Sequence, residues 1–136
     1  MTNKRLVFTA GIPIRWGDMD ALGHVNNTEY FRYMEQARIE WFTQSLGALT
    51  DGNSGPVLIN AQCSFLRQLR YPGQIEVRIY IGAVGRSSIE TLYEMRRSDQ
   101  PDIVYAEGAA KIVWVDFAEE KSMALPGHVR AQLAGL

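Results

Sequence analysis

The chain has 136 residues, of which 46% are apolar and 21% charged, and these values are ordinary for a folded globular protein. This length suits one domain and leaves no room for a second, so we predict a single domain over residues 1–136. A net charge of −1 gives no overall attraction to nucleic acid or to an anionic membrane. No apolar segment approaches the roughly 20 residues of a membrane span. We therefore expect neither nucleic acid nor membrane as a partner.

Cysteine usage and the first residues bear on the compartment. The single cysteine, Cys63, excludes an internal disulfide framework and a multi-thiolate zinc site, and we interpret it as a small buried hydrophobe. The opening residues are polar, and the apolar stretch after them is interrupted by Thr9, Gly11 and Pro13, so no signal peptide is indicated. A cytoplasmic location is the default expectation.

The first half of the chain predicts a strand, a loop and a long helix. Leu6 to Trp16 is rich in β-forming residues, and Gly17 to Val25 carries the Asp and Gly residues of a loop. A helix then begins at Asn26 or Asn27, because either side chain can accept a free backbone N–H. Apolar residues at helical spacing continue to about Leu46, and Gly47 is a normal stop signal.

The second half predicts a meander of long strands. Four β-patterned runs are separated by turns that contain Pro or Gly, and a short terminal helix is possible at Pro126 to Leu133. The runs are Pro56 to Leu69, Gln74 to Val84, Ser87 to Arg97 and Ile103 to Phe117. One strand, one long helix and several antiparallel strands predict an α+β domain with the helix against one face of the sheet.

The loop before the long helix is the most unusual passage. Between Arg15 and Tyr30 it places two carboxylates, Asp18 and Asp20, together with His24 and two asparagines, next to a helix start. Free N–H groups at a helix N-terminus form a positive pole that suits an anion. A carboxylate a few residues before such a pole supplies a nucleophile or base beside an oxyanion site, which is the minimum equipment for acyl transfer.

These residues carry a family resemblance. The run from Gly17 to Asn27, followed by Tyr30 and by Met34 to Arg38, closely resembles the 4-hydroxybenzoyl-CoA thioesterase family of hotdog proteins. Weaker similarity appears later, at the turns that begin at Tyr71 and Gly85. The resemblance implies a long helix wrapped by a curved antiparallel sheet, assembly as a homodimer or homotetramer, and an active site between subunits that hydrolyses an acyl-CoA.

The resemblance also assigns roles. It implies that Asp20 is the catalytic carboxylate and that the backbone N–H of Asn27 polarises the thioester carbonyl. An aspartate is ionised at neutral pH, so Asp20 could attack the thioester carbon or could orient and deprotonate water. The sequence leaves both routes open and favours nucleophilic attack, because an acid this strong makes a weak base. No cofactor is expected.

Other residues of this region have structural interpretations. Asp18 is expected to stabilise the loop, and His24 to cap or pack, although His24 could also be a general base. Glu35 stands three residues before Arg38, so an ion pair on the helix is the expectation. Because some hotdog thioesterases place their carboxylate on this helix, Glu35 is also a second catalytic candidate.

Coenzyme recognition is a separate hypothesis. Arg86 lies in a tight turn before Ser87 and Ser88, and the planar fork of an arginine suits phosphate, so these three residues are predicted to bind substrate. The alternative is that Arg86 is a solvated turn residue. Arg67 and Arg70 are weaker candidates. Only two histidines and one cysteine occur, with no ligand cluster at metal-site spacing, so no metal is predicted.

Three competing interpretations remain. Asp18, Asp20, Gly23 and Glu29 match much of an EF-hand calcium loop, although position five is Leu22 and the preceding segment is β-patterned. The same fold could instead be a non-catalytic acyl-CoA or acyl-carrier binding module. A hotdog dehydratase or hydratase is the third, and it requires a motif that His24-Val25-Asn26 does not match.

Overall fold

A computed structural model describes residues 4–47 and 50–134 of the chain. It contains two α-helices and six strands, with one turn of 3₁₀ helix at Trp16–Asp18. The elements are β1 (Arg5–Pro13), α1 (Asn27–Ser45), β2 (Ser54–Phe65), β3 (Gln74–Val84), β4 (Ser88–Arg97), β5 (Ala106–Asp116), β6 (Lys121–Ser122) and α2 (Gly127–Ala134). The predicted α+β class is confirmed.

The strands form one antiparallel sheet. Its order is β1-β3-β4-β5-β2, and the short β6 pairs with β5. The three successive strands from β3 to β5 neighbour one another as the meander pattern predicts. The prediction is wrong for the first run of the meander, because β2 pairs with β5 instead of β3 and lies at the edge opposite β1. The chain therefore crosses the sheet between β1 and β2, and α1 lies on this crossing.

The core lies between α1 and one face of the sheet. On the helix, Tyr33, Met34, Ala37 and Trp41 are at most 1% exposed, and they follow the three-to-four residue spacing of one helical face. On β3 the alternate residues Ile75, Val77, Ile79 and Ile81 are fully buried. The helix and the sheet thus bury each other's apolar side.

Element boundaries agree with the sequence to within a few residues, with two differences. The chain turns into the 3₁₀ helix at Trp16, whereas the alternation predicted a strand that reached this residue. The strand β2 ends at Phe65, and the next residues form a connector to β3 rather than continuing to Leu69.

The edge strand β2 is unlike the other long strands. Most of its residues are exposed, whereas β3 and β4 bury every second side chain. Its large apolar side chains Val57, Leu58 and Ile59 are 38–53% exposed. Cys63 also lies on this strand. It packs against the core but is only partly buried, so the interpretation as a small buried hydrophobe is confirmed only in part. Burial still raises the pKa of its thiol to about 11.

Candidate active site

The loop between β1 and α1 is a folded unit. After the 3₁₀ turn, Met19 and Val25 form an isolated antiparallel bridge, and the loop reverses at Gly23, whose φ of 81° suits glycine. The Asn26 N–H donates to the Asp18 carbonyl at 2.9 Å, so the loop closes where the helix begins. The Val25 N–H donates to the Leu69 carbonyl at 2.9 Å, which attaches the loop to the β2–β3 connector.

Asp18 is the buried anchor of this loop and is 5% exposed. Its Oδ2 accepts the Arg15 backbone N–H at 3.0 Å and the Tyr33 hydroxyl at 2.7 Å. Its Oδ1 lies 3.3 Å from the Arg15 guanidinium. Burial by itself raises the pKa of Asp18, but these hydrogen bonds and the Arg15 charge outweigh it, so the pKa is lowered. These contacts match the loop-stabilising role predicted for Asp18.

Asp20 is differently placed, although it is only two residues away. It is partly exposed, and its Oδ1 accepts the Leu22 backbone N–H at 2.9 Å. Its backbone N–H donates to the His24 carbonyl at 2.8 Å. Its Oδ2 has no hydrogen-bond partner within residues 4–47 and 50–134. The carboxylate is held at one oxygen and open at the other.

The start of α1 offers a free donor. The cap is Asn26, whose Oδ1 accepts the Thr28 N–H at 2.9 Å and the Thr28 hydroxyl at 2.7 Å. Asn27 is the first helical residue, and its backbone N–H has no acceptor in the described part of the chain. The predicted cap is confirmed, with Asn26 in that position, and the Asn27 N–H stays available to a ligand.

Tyr30 attaches the β2–β3 connector to the helix. It is 2% exposed, accepts the Leu69 backbone N–H at 3.1 Å and donates to the Arg67 carbonyl at 3.3 Å. Its ring packs edge-on against Phe65 at a centroid distance of 4.9 Å. Burial raises the pKa of Tyr30, so its hydroxyl stays neutral. The connector therefore lies next to the loop between β1 and α1.

The His24 side chain makes a packing contact, which suits a structural role better than that of a general base. Its Nε2 lies 3.1 Å from the Arg70 guanidinium. Because arginine has only donors, Nε2 is the acceptor in this pair, and the pair joins the loop to the connector. The capping or packing role expected for His24 fits this geometry better than the role of a general base.

These groups surround one cavity of about 200 Å³. It brings Asp20 and Asn27 together, as the sequence predicted. It also adds residues that sequence reasoning did not place there, because they come from the far end of β2, the connector and the loop tip: Leu22, Phe65, Arg67 and Gln68. From the sequence alone, Arg67 is only a weak candidate for phosphate binding.

Arg86, Ser87 and Ser88 lie at the other end of the sheet. They follow β3, whose first residue pairs with the end of β1 beside the loop, so the length of β3 places them roughly 30 Å away. The Arg86 carbonyl accepts the Leu125 N–H at 2.9 Å and the Arg130 guanidinium at 3.0 Å. The turn backbone is thereby fixed, while the Arg86 side chain is exposed and has no partner in the described chain. One copy of the chain does not bring these residues to Asp20.

The predicted ion pair between Glu35 and Arg38 is wrong. Glu35 lies 3.7 Å from the Arg32 guanidinium. Arg38 points inward and is 8% exposed, and its Nη1 donates to the Tyr93 hydroxyl at 3.2 Å. Glu35 also does not line the cavity that holds Asp20, so the catalytic alternative for Glu35 has no geometric support in one copy.

The calcium-loop interpretation is also wrong. The segment before Asp18 is the strand β1 where an EF-hand needs a helix, and the Asp18 oxygens are already bonded to Arg15 and Tyr33. Among residues 4–47 and 50–134, no group of three or more His, Cys, Asp and Glu is arranged to hold a metal ion.

Comparison with known proteins places this geometry in a family. The model of the thioesterase-like superfamily matches residues 14–133. The chain belongs to the thioesterase-like superfamily. A thioesterase structure from Pseudomonas aeruginosa superposes with a TM-score of 0.90 at 40% identity, over 95% of this chain and 99% of that one. The long-chain acyl-CoA thioesterase FadM of Escherichia coli is 25% identical over 90% of this chain and 93% of its own.

A more partial relative is YsmA of Bacillus subtilis, which is 29% identical over 60% of this chain and 56% of its own length. Membership in the thioesterase-like superfamily and the names of its relatives support thioester hydrolysis as the activity. The hotdog fold predicted from the resemblance is confirmed by the superposition on this family's structures. No helix in the described ranges has the length and apolarity that crossing a membrane requires.

Proposed function

We propose that this protein is an acyl-CoA thioesterase that converts a coenzyme A thioester and water into the free acid and CoA. The observation that carries the proposal is the cavity at the start of α1, which is lined by both Asp20 and Asn27. The open Oδ2 of Asp20 and the free backbone N–H of Asn27 supply a nucleophile or base and an oxyanion donor.

The steps follow from these two groups. The Asn27 N–H donates to the thioester carbonyl oxygen, and the helix dipole favours the negative charge that develops there. In the nucleophilic route, an Asp20 oxygen bonds to the carbonyl carbon and the C–S bond breaks, which releases the CoA thiolate and leaves a mixed anhydride. Water then hydrolyses the anhydride and restores the carboxylate. In the general-base route, Asp20 takes a proton from the water that attacks the same carbon. The C–S bond then breaks, and the departing CoA thiolate takes up that proton from Asp20.

We further propose that two copies pair through the β2 edge. A long exposed strand with large apolar side chains exposes unpaired backbone groups that favour pairing with another strand. The cavity of about 200 Å³ is smaller than a usual ligand site of roughly 300–1,000 Å³, and it lies at the Phe65 end of the same strand. A second copy on this edge would add walls to the cavity.

The pairing also accounts for the position of Arg86. In an antiparallel β2–β2 pair, a two-fold axis sets the Phe65 end of one strand beside the Ser54 end of the other. The Ser54 end pairs with the last residues of β5, and β5 places them near the β3–β4 turn. Arg86, Ser87 and Ser88 of one copy would then approach the Asp20 cavity of the other and bind the phosphates of CoA.

An experiment can identify the class of acyl group that the protein hydrolyses. The motif resembles 4-hydroxybenzoyl-CoA thioesterases, while a named relative acts on long-chain acyl-CoA. A panel of aromatic, short-chain and long-chain acyl-CoAs, assayed for released thiol with Asp20→Asn protein as the matched blank, should show hydrolysis of at least one class. Thiol release from no class, together with tight acyl-CoA binding, would support the alternative of a non-catalytic binding module.

A further inference from the structure

The Arg38 guanidinium is buried and has no oppositely charged partner among the described residues of one copy of the chain. Its side chain is more than nine-tenths buried, and a buried charge is costly unless it is paired. Its only hydrogen bond within the described chain goes to the neutral Tyr93 hydroxyl, and no carboxylate there lies within salt-bridge distance. Burial raises the pKa of Tyr93, so the phenol does not supply a negative charge.

The hydrogen bonds behind Arg38 run in one direction. The Thr91 hydroxyl donates to the Ala110 carbonyl at 2.9 Å, so Tyr93 donates to Thr91 at 2.6 Å and in turn accepts from Arg38. This series of hydrogen bonds uses one of the five N–H donors of the Arg38 guanidinium. The fully buried side-chain atoms without a partner in residues 4–47 and 50–134 are Arg96 Nε and Trp114 Nε1, so the other Arg38 nitrogens keep some access.

That access leads to a cavity of about 220 Å³ between α1 and the edge strand β2. Its walls are apolar apart from Arg38, and one carboxylate, Glu35, stands at its rim. Glu35 is half exposed and only loosely paired with Arg32 at 3.7 Å. The apolar wall residues are Ile39, Phe42, Pro56, Leu58 and Ile112.

We propose that the missing charge is Glu35 of a second copy, so that two Glu35–Arg38 ion pairs form across the two-fold axis of the dimer. The face of α1 along β2 begins at Phe31, whose ring centroid lies 6.4 Å from that of Phe65, and ends at Phe42, which lines the cavity together with Pro56 and Leu58. The centre of this face lies between residues 36 and 37. When two such faces meet antiparallel about that centre, residue 35 of one helix stands opposite residue 38 of the other. A two-fold interface is self-complementary, so one pair of residues provides both contacts.

The pairing has a consequence for the site. Arg38 lies on the same helix as Asn27, about 16 Å along the axis. Ion pairs at this position would fix the register of the two helices, and with it the approach of one copy's Arg86 to the other copy's cavity. The inference rests on the dimer proposed above and not on hydrolysis.

The first test uses Glu35, because it is exposed and its replacement leaves the core intact. Sedimentation equilibrium should show that Glu35→Gln weakens the dimer at least about 10-fold and that Glu35→Lys weakens it at least about 10²-fold. The matched control is Glu40→Lys, which makes the same change of charge on the same helix, where Glu40 contacts Gln36 and does not line this cavity. It should leave the dimer affinity within about threefold of the parent.

The second test mixes two charge variants. E35K protein carries two cations at the proposed contact and R38E protein carries two anions, so each should repel its own kind. Together they should form heterodimers in excess over either homodimer, measured by mass on differently tagged chains. Circular dichroism of each variant establishes that it is folded, and Arg38→Gln replaces R38E in the single-variant comparison if R38E is not.

Three results would overturn the inference. A parent chain that is monomeric at all concentrations would remove the dimer, while a thiol-release assay would still decide hydrolysis independently. Unchanged dimer affinity in Glu35→Lys would show that Glu35 does not meet Arg38. Binding of a fatty acid such as decanoate to the parent but not to Arg38→Gln, with Glu35 variants unaffected, would assign the cavity to a small carboxylate instead.

Discussion

Asp18 and Asp20 are two residues apart on one loop, yet the fold uses them in opposite ways. Both oxygens of Asp18 are occupied by Arg15 and Tyr33, and its carboxylate is buried. Asp20 keeps one oxygen without a partner in the described chain and lines a cavity. A saturated carboxylate stabilises structure, while an open one beside a helix N-terminus can react. The difference lies in the surroundings, since the residue type is the same.

The largest effect should come from the open carboxylate. Asp20→Asn keeps the shape and the Leu22 hydrogen bond but removes the charge, so kcat should fall at least about 10²-fold while the fold and substrate binding stay nearly intact. Thiol-release kinetics on the best acyl-CoA of the panel measure this. A variant that retains more than about a tenth of the parent rate would show that Asp20 is not the catalytic group.

Replacing Arg86 tests whether the chemical step and coenzyme binding depend on separate residues. The positions of Asp20 and Arg86 at opposite ends of the sheet suggest that they do. A phosphate contact far from the scissile bond should be equal in ground and transition states, so Arg86→Ala should raise KM and leave kcat almost unchanged. A charge-assisted hydrogen bond of about 1.5–3 kcal/mol predicts a loss of roughly 10- to 150-fold in kcat/KM.

The control for Arg86 is a truncated thioester that carries the same acyl group on a thiol without the nucleotide. Arg86→Ala should spare this substrate. Equal losses on both substrates would mean that Arg86 supports the fold or the site, and the phosphate assignment would be lost.

The contrast between the two aspartates shows what a sequence can and cannot predict. Local signals were sufficient for the helix start at Asn26, for its end near Gly47 and for β3, because caps and alternation depend on neighbouring residues. The candidate pair of Asp20 and Asn27 came from the motif and lies together as predicted.

Contacts between segments that are far apart in the sequence could not be predicted from local patterns. The Tyr30 contacts with Arg67 and Leu69 join residues almost forty positions apart. Arg38 turns inward to Tyr93, where helical spacing predicted a pair with Glu35, because tertiary packing overrides a weak surface ion pair. Cys63 is only partly buried because it lies on an edge strand, and alternation alone does not distinguish an edge strand from a central one.

The saturated carboxylate should affect stability more than rate. Asp18→Asn removes charge from hydrogen bonds to the Arg15 N–H and the Tyr33 hydroxyl, so we expect a loss of about 1–3 kcal/mol in the free energy of unfolding at pH 7. Urea unfolding measures it. The kcat of folded protein should change far less than in Asp20→Asn, and a larger loss would reverse the two assignments.

The pH dependence gives this prediction a second readout. The folded-state pKa of Asp18 is lowered, so its stabilisation is fully present above the ordinary aspartate pKa and is lost as the pH falls through the lowered value. The asparagine variant lacks this titration. The difference in unfolding free energy between parent and variant should therefore be largest at neutral pH and should shrink below about pH 4. A difference that is constant from neutral to acid pH would contradict the role assigned to Asp18.

The smallest expected effect is that of chelation, which bears on both carboxylates together. A metal-dependent loop would need oxygens from Asp18 and Asp20 at once, but those of Asp18 already accept three contacts from Arg15 and Tyr33. Binding a cation there would require these contacts to break, and the described residues offer no other cluster of metal ligands. Exhaustive chelation should therefore leave the rate of thiol release unchanged. Loss of activity on chelation, restored by adding one divalent metal, would show that the loop binds a cation. A rise in Tm with calcium that saturates at micromolar concentration would show the same. In either case Asp18 and Asp20 would bind one ion together, and the separate roles assigned to them would be wrong.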